Sequence, residues 1–246
     1  MKCLIIAAGR GKRLSGRAES KPLLEVGGRP LIEWVLDAGR LAGIREFLVV
    51  TGYAREKVEG YLRTLAPERG ISISFVQNDE WEKENGLSVF KARNEISDRF
   101  ILSMSDHIFD PEILKDLRGQ PVRADETILA VDSGVRDNAY VDLEDVTKVR
   151  VEEGRIAAIG KRIKDYNAFD TGLFLGTPAL FNALEESQLK GDFTLSGGIR
   201  VLAAKGKARV MDISGRFWID VDDEKAMKRA TGLLKARTWE TDKGRP

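Results

Sequence analysis

The sequence predicts an α/β fold with a mainly parallel, three-layer sheet and a smaller, mixed β-hairpin part. Three observations carry this. Strand-like and helix-like segments alternate through the first two-thirds of the chain. Several strand-like runs are apolar at consecutive positions, as strands buried on both faces are. The first such run leads straight into a glycine-rich loop, Gly9-Arg10-Gly11.

Taken in order, Lys2 to Ala7 reads as an apolar strand. Pro30 suits the first turn of a helix running to about Ala42, with Gly43 as its stop. Phe47 to Thr51 is a short β-rich run, and Arg55 to Leu65 an amphipathic helix. Ile71 to Val76 alternates as a strand, Gly86 to Ile96 is helical, and Phe100 to Met104 is again an apolar strand. Glu126 to Val131 repeats the pattern. After about Asp142 the texture changes: Lys148 to Val151 and Ile156 to Ile159 flank Glu153-Gly154 as a hairpin. Asn167 to Leu175 is a further strand, and Thr177-Pro178 opens a helix with a cap followed by proline. Asp222 to Lys235 reads as a charged amphipathic helix.

Bulk properties exclude several classes. With 246 residues, 42% of them hydrophobic, the chain is long and apolar enough for a substantial core and is not a disordered one. Forty Lys and Arg against 39 Asp and Glu leave a net charge of +1, so no global field favours nucleic acid or an anionic membrane. A local cluster, Lys12, Arg13, Arg17, Lys21 and Arg29, suits a polyanionic ligand. The single Cys3 excludes an intrachain disulfide framework and reads as a core thiol. The opening apolar run is too short for a signal peptide, and no run approaches the roughly 20 residues of a membrane span. A cytoplasmic protein is expected. The 32% of charged residues, with few amides, leans towards a thermophile.

The informative segment is Ala7-Ala8-Gly9-Arg10-Gly11-Lys12-Arg13-Leu14, followed by Lys21-Pro22-Leu23-Leu24. Two glycines allow close backbone approach to phosphate oxygens. A dinucleotide fingerprint needs Gly or Ala where Leu14 stands, and the Gly-x-x-x-x-Gly-Lys-Ser/Thr of a P-loop is absent. A solvated basic loop is the alternative reading of each residue taken singly.

Here the chain resembles the sugar-1-phosphate nucleotidyltransferases, whose signature Ala-Ala-Gly-x-Gly-x-Arg with a downstream Lys-Pro is matched from Ala7 to Leu24. The resemblance continues through Asn85-Gly86-Leu87-Ser88, Ser105-Asp106-His107, Asp170-Thr171-Gly172 and Trp218-Ile219-Asp220-Val221-Asp222. It implies a Rossmann-like sheet and Mg²⁺-dependent transfer of a nucleotidyl group. One domain over 1–239 follows, its nucleotide-binding part at about 1–140 and its acceptor-binding part at about 141–239, with 240–246 as a tail or cut linker.

The implied roles fit the residue types. Arg13 offers a planar fork to the leaving phosphates and Lys21 a point charge. Ala8, Gly9 and Gly11 line the nucleotide's path. Asp106 ends an apolar strand, at the edge where open α/β sheets place ligands, and with Asp220 makes a suitable Mg²⁺ site. Asn85, Gly86 and Ser88 are expected to read base or ribose, a helix cap being the alternative. Lys161 resembles the family lysine that meets acceptor or α-phosphate, with neighbouring Arg162 leaving the register open. Asp170 and Thr171 are expected on the acceptor side. His107, if the strand persists past Asp106, points to the opposite face and is expected in a structural hydrogen bond, a catalytic role being the alternative. Asp222 and Asp223 are read either as metal helpers or as an acidic helix start, and Phe217 and Trp218 as core.

The Asn85–Ser88 segment, with Asn78 and Trp81, looks more like cytidylyltransferases acting on alcohol phosphates than like hexose enzymes. The resemblance runs closest to the CTP:inositol-1-phosphate cytidylyltransferases, so CTP and a phosphorylated polyol are the expected substrates. In that family the domain is often fused to a membrane-bound alcohol phosphotransferase, which places it in the cytoplasm or at the cytosolic face of the membrane. A homodimer is compatible with this. Hexose-1-phosphate or phosphocholine nucleotidyltransferases, and a non-catalytic nucleotide-binding module, are the alternatives.

Overall fold

The computed structural model describes residues 1–14, 16, 19–135, 141–213 and 215–236. The expected 240–246 tail lies outside the described residues, as do Arg17 and the side chain of Lys12.

The strands β1 (Cys3–Ala7), β2 (Glu25–Val26) and β3 (Arg29–Pro30) precede helix α1 (Leu31–Leu41). Pro30 stands just before this helix, and Gly43 ends the segment with a φ of +78°. Then follow β4 (Glu46–Thr51), α2 (Arg55–Glu68), β5 (Ser72–Gln77), α3 (Asn85–Lys91), β6 (Phe100–Met104), β7 (His107–Phe109) and α4 (Pro111–Gly119). The helix expected to reach Ile96 stops at Lys91 and tightens into a 3₁₀ turn at Ala92–Asn94. Helix α4, unforeseen in the sequence, starts at Asp110, whose side chain accepts the Glu112 N–H, with Pro111 in the first turn.

The chain continues through β8 (Thr127–Asp132), β9 (Lys148–Glu152), β10 (Arg155–Gly160), β11 (Ala168–Gly176), α5 (Ala179–Leu189), α6 (Leu195–Ala204), β12 (Ala208–Asp212), β13 (Trp218–Asp220) and α7 (Glu224–Ala236). The hairpin at Glu153-Gly154 joins β9 and β10 as expected. Thr177 does not cap α5: its hydroxyl donates to the Glu126 carbonyl at 2.9 Å.

Among the described residues, nine strands form one sheet in the order β5-β4-β1-β6-β11-β8-β12-β10-β9. The half β5-β4-β1-β6 is parallel. Strand β11 then enters antiparallel between β6 and β8, in register Leu173↔Ser103 and Phe174↔Leu102 with β6. This makes the whole sheet mixed. It also brings the start of β11 beside the carboxyl ends of the parallel strands.

Strand β1 shows why the sheet lies between two layers. Cys3, Ile5 and Ala7 join one core with Val35 and Leu36 of α1, Leu62 of α2 and Leu114 of α4. Leu4 and Ile6 join the other with Val89 of α3, Leu184 of α5 and Ile199 of α6. The alternation of side chains along a strand sends each set to its own face. A third cluster joins Leu14, Val26, Ile108, Ile219 and Ala230, packing α7 over the β7–β13 ribbon and the end of the glycine-rich loop.

Candidate active site

The carboxyl ends of β1 and β6 open into a cavity of about 780 Å³. After β1 the loop bearing Gly9 and Gly11 lines it; after β6 come Ser105 and Asp106. Gly11 has a φ of +65°, the left-handed region that glycine occupies without steric cost.

Asp106 and Asp220, far apart in sequence, meet because β7 and β13 pair antiparallel, with Asp220 opposite His107. The strand β6 does not persist through Asp106, which lies in a turn, so the condition for His107 to point to the opposite face is not met. Its Nδ1 lies 2.8 Å from Oδ1 of Asp106 and 3.8 Å from Oδ1 of Asp220. The imidazole stacks on the buried Trp218 ring, centroids 6.3 Å apart. Burial disfavours its charged form, but the carboxylates of Asp220 and Asp106 outweigh this and raise His107 to about 9. His107 therefore donates to Asp106 and fixes that carboxylate's orientation.

Lys21 is buried, and its Nζ lies 2.5 Å from Oδ2 of Asp106 and also contacts Asp222. Burial opposes its charge, yet Asp106, Asp220 and Asp222 hold the ammonium protonated. Asp106 likewise suffers from burial, but Lys21 and His107 keep it well below the usual carboxylate range. Asp220 differs. Burial, with Asp106 and Asp222 adding to it, pushes its carboxyl up, and Oδ1 is buried with no hydrogen-bond partner. Asp106, His107 and Asp220 each offer a ligand atom, all within 4.8 Å of one another.

Arg13 reaches Asp145 at 2.7 Å through Nη1 and Asp222 at 2.8 Å through Nη2. Lys161 Nζ lies 2.5 Å from the other oxygen of Asp145. One carboxylate thus spans two cations from different parts of the chain. Asp145 carries no motif; the only sequence signal for it is its place in an acidic segment just before the hairpin. Asp222, read two ways from the sequence, belongs to this network rather than to the helix that begins at Glu224.

Asp170 lines the cavity and accepts the Gly172 N–H at 2.8 Å, while burial pushes its carboxyl up to about 6. Asn85 also lines it, with Oδ1 accepting the Leu195 N–H at 3.0 Å and so joining the starts of α3 and α6. Leu195 and Ser196 of α6 contribute as well.

Four residues expected at the site lie outside the cavity lining. Ser88 is sealed in, accepting from Asn78 Nδ2 at 2.9 Å. Gly86 serves packing, since a Cβ there would lie 2.5 Å from the Thr194 carbonyl carbon. Thr171 is fully buried and donates to the Ala130 carbonyl at 2.8 Å. Ala8 is buried, and its carbonyl accepts from the Tyr53 N–H at 2.9 Å. Phe217 and Trp218 are core residues, as expected.

Comparison with known proteins places the chain in a family. A family model described as the MobA-like NTP transferase domain matches residues 3–208. The bifunctional IPC transferase and DIPP synthase of Archaeoglobus fulgidus is 33% identical over 237 residues, 95% of this chain and 44% of that protein. Its namesake from Aquifex aeolicus is 33% identical over 234 residues, 94% of this chain and 51% of that protein. The chain therefore spans about half the length of these curated relatives. Among solved structures, the inositol-1-phosphate CTP transferase from T. maritima superposes with a TM-score of 0.82 at 27% identity, covering 95% of this chain and 96% of that one.

Proposed function

The chain belongs to the MobA-like NTP transferase domain family, and on that premise we propose that it transfers CMP from CTP to inositol 1-phosphate, giving CDP-inositol and pyrophosphate. The observation that carries this reading is the convergence of Arg13, Lys21, Asp106 and Asp220 on one cavity. Support for the substrate pair comes from the printed name of the T. maritima neighbour, at 27% identity over nearly its whole length.

A phosphate oxygen of the acceptor attacks the α-phosphorus in line. The bond from that phosphorus to the bridging oxygen breaks, and pyrophosphate leaves with the electron pair. No general base is needed, because a phosphomonoester is already ionised near neutral pH with a second pKa of about 6. Catalysis is then alignment and charge neutralisation. Arg13 faces the leaving phosphates with its planar fork, and Lys21 adds a fixed positive charge beside Asp106. Lys161, on the acceptor side, exchanges its tie to Asp145 for a phosphate oxygen.

The residues present fit Mg²⁺. Two carboxylates are a hard donor set for an ion that takes few protein ligands, and the orphaned buried Oδ1 of Asp220 is a coordination position in waiting. Asp106 and Asp220 would hold the ion, with His107 orienting Asp106. When bound, Mg²⁺ neutralises phosphate charge and orients the α-phosphate.

For the acceptor, Asp170 presents a carboxylate to ring hydroxyls. A quaternary ammonium such as that of phosphocholine favours an aromatic cage, whereas the aromatic residues of the lining, Phe174 and Trp218, are buried in the cores. No helix among the described residues is long and apolar enough to cross a membrane. The bifunctional names of relatives about twice as long favour cooperation with a second activity; the family resemblance makes that activity a membrane-bound alcohol phosphotransferase at the cytosolic face of the membrane.

The direct test is incubation with CTP, inositol 1-phosphate and Mg²⁺, followed by product analysis. Equimolar CDP-inositol and pyrophosphate are expected; their absence, with another pair active, removes the substrate assignment.

A further inference from the structure

Helix α7 lends the cavity three residues, Lys225, Ala226 and Arg229. Lys225 and Arg229 are four apart and so share one helix face. The apolar face, through Met227, Ala230, Leu233 and Leu234, packs on the third core cluster, which includes Leu14 directly after Arg13. Burial of that face anchors α7 to the glycine-rich loop and turns the two cations towards the cavity. Asp222, which holds Arg13 at 2.8 Å, lies three residues before Lys225.

These two cations differ from the others in the cavity. Arg13, Lys21 and Lys161 are each tied to a carboxylate. Neither Lys225 nor Arg229 has such a partner among the described residues. Lys225 also sits in the first turn of α7, where the helix dipole disfavours positive charge. Both are exposed at the cavity's mouth with no carboxylate among the described residues to neutralise them, which leaves them available to an anionic ligand. The lining is already rich in carboxylates at Asp106, Asp145, Asp220 and Asp222, so a triphosphate entering there needs more positive charge than Arg13 and Lys21 supply.

We propose that Lys225 and Arg229 grip the terminal phosphates of the nucleoside triphosphate and hold pyrophosphate as it leaves. The proposal rests on the nucleotidyl-transfer reading above. As the bond from the α-phosphorus to the bridging oxygen breaks, negative charge grows on the β-phosphate. Arg13 meets that charge from the loop, and Lys225 and Arg229 meet it from the helix packed against the loop.

The test uses Lys225→Gln, Arg229→Gln and the double variant, with inorganic pyrophosphate and Mg²⁺ as the probe. Pyrophosphate inhibition of the forward reaction weakens about tenfold or more in the double variant, in line with the loss of charge-assisted hydrogen bonds. KM for CTP rises by a similar factor, while KM for the acceptor stays at the wild-type value. The charge-conserving pair Lys225→Arg and Arg229→Lys restores most of both. Thermal unfolding without ligand is unchanged, which separates binding from folding. Unaltered pyrophosphate inhibition, or a rise in acceptor KM alone, overturns the proposal. Wild-type protein that transfers no nucleotide from any triphosphate overturns the underlying reading as well; active wild type with indistinguishable variants overturns only this inference.

Discussion

A Cβ placed on Gly11 would lie 2.6 Å from the Cβ of Lys21. The bare backbone of the loop is what allows the Lys21 stem to pass against it and reach Asp106. The Gly-x-Gly-x-Arg and Lys-Pro elements of the sequence are thus one steric unit.

Gly11→Ala meets both this contact and a φ of +65°. A stability loss of about 1–2 kcal/mol is expected in urea denaturation. KM for the triphosphate rises severalfold because Lys21 is displaced. An unchanged KM would detach the loop from Lys21.

Asp220→Asn alters a half-buried carboxyl whose Oδ1 is buried with no hydrogen-bond partner. In metal-free protein the melting temperature stays level or rises. The further rise that Mg²⁺ gives the wild type is lost, since stabilisation follows the ion's binding, and turnover falls by at least about 100-fold. A Mg²⁺-induced shift equal to that of the wild type would exclude Asp220 as a ligand.

Asp170 carries a pH signature set chiefly by its burial. Its folded pKa of about 6 exceeds the ordinary aspartate value. The native state therefore holds this proton more tightly than the unfolded chain. The stabilising contribution is full below about pH 4 and is lost as pH rises through 6, a change of up to about 3 kcal/mol. Asp170→Asn keeps an acceptor for the Gly172 N–H and carries no charge. Its stability relative to wild type should climb between pH 4.5 and 8; a flat difference would show that burial does not penalise this carboxylate.

Ser88→Ala separates a packing role from base reading. Asn78 Nδ2 loses its partner in a dry interior, which costs about 1–3 kcal/mol. KM for CTP stays put. A raised KM with intact stability would return Ser88 to the nucleotide site.

The glycine-rich loop and Asp106 were legible because each follows an apolar strand whose end the pattern marks, whereas Lys21 was legible only through the Lys-Pro element of the resemblance. The partner strands β7 and β13 are three residues each, too short for any periodicity, so the meeting of Asp220 with His107 and Asp106 was visible only through resemblance. Helix α6 was hidden by Gly197 and Gly198, poor helix formers. Packing demands them: Cβ atoms there would lie 2.3 Å from Ser187 Oγ and 2.8 Å from Leu184 Cδ2 of α5. Asp145 gave no signal because its partners, Arg13 and Lys161, come from distant parts of the chain.

The reaction and its substrate pair are both tested by kcat/KM for pyrophosphate release across a grid of CTP, UTP, GTP and dTTP against inositol 1-phosphate, glucose 1-phosphate and phosphocholine. CTP with inositol 1-phosphate should exceed every other pair by at least about 100-fold, because pocket groups left unpaired by a wrong acceptor cost that much. A hexose phosphate that reacts faster with UTP, GTP or dTTP would contradict the pair, and no pyrophosphate from any combination would contradict the reaction itself.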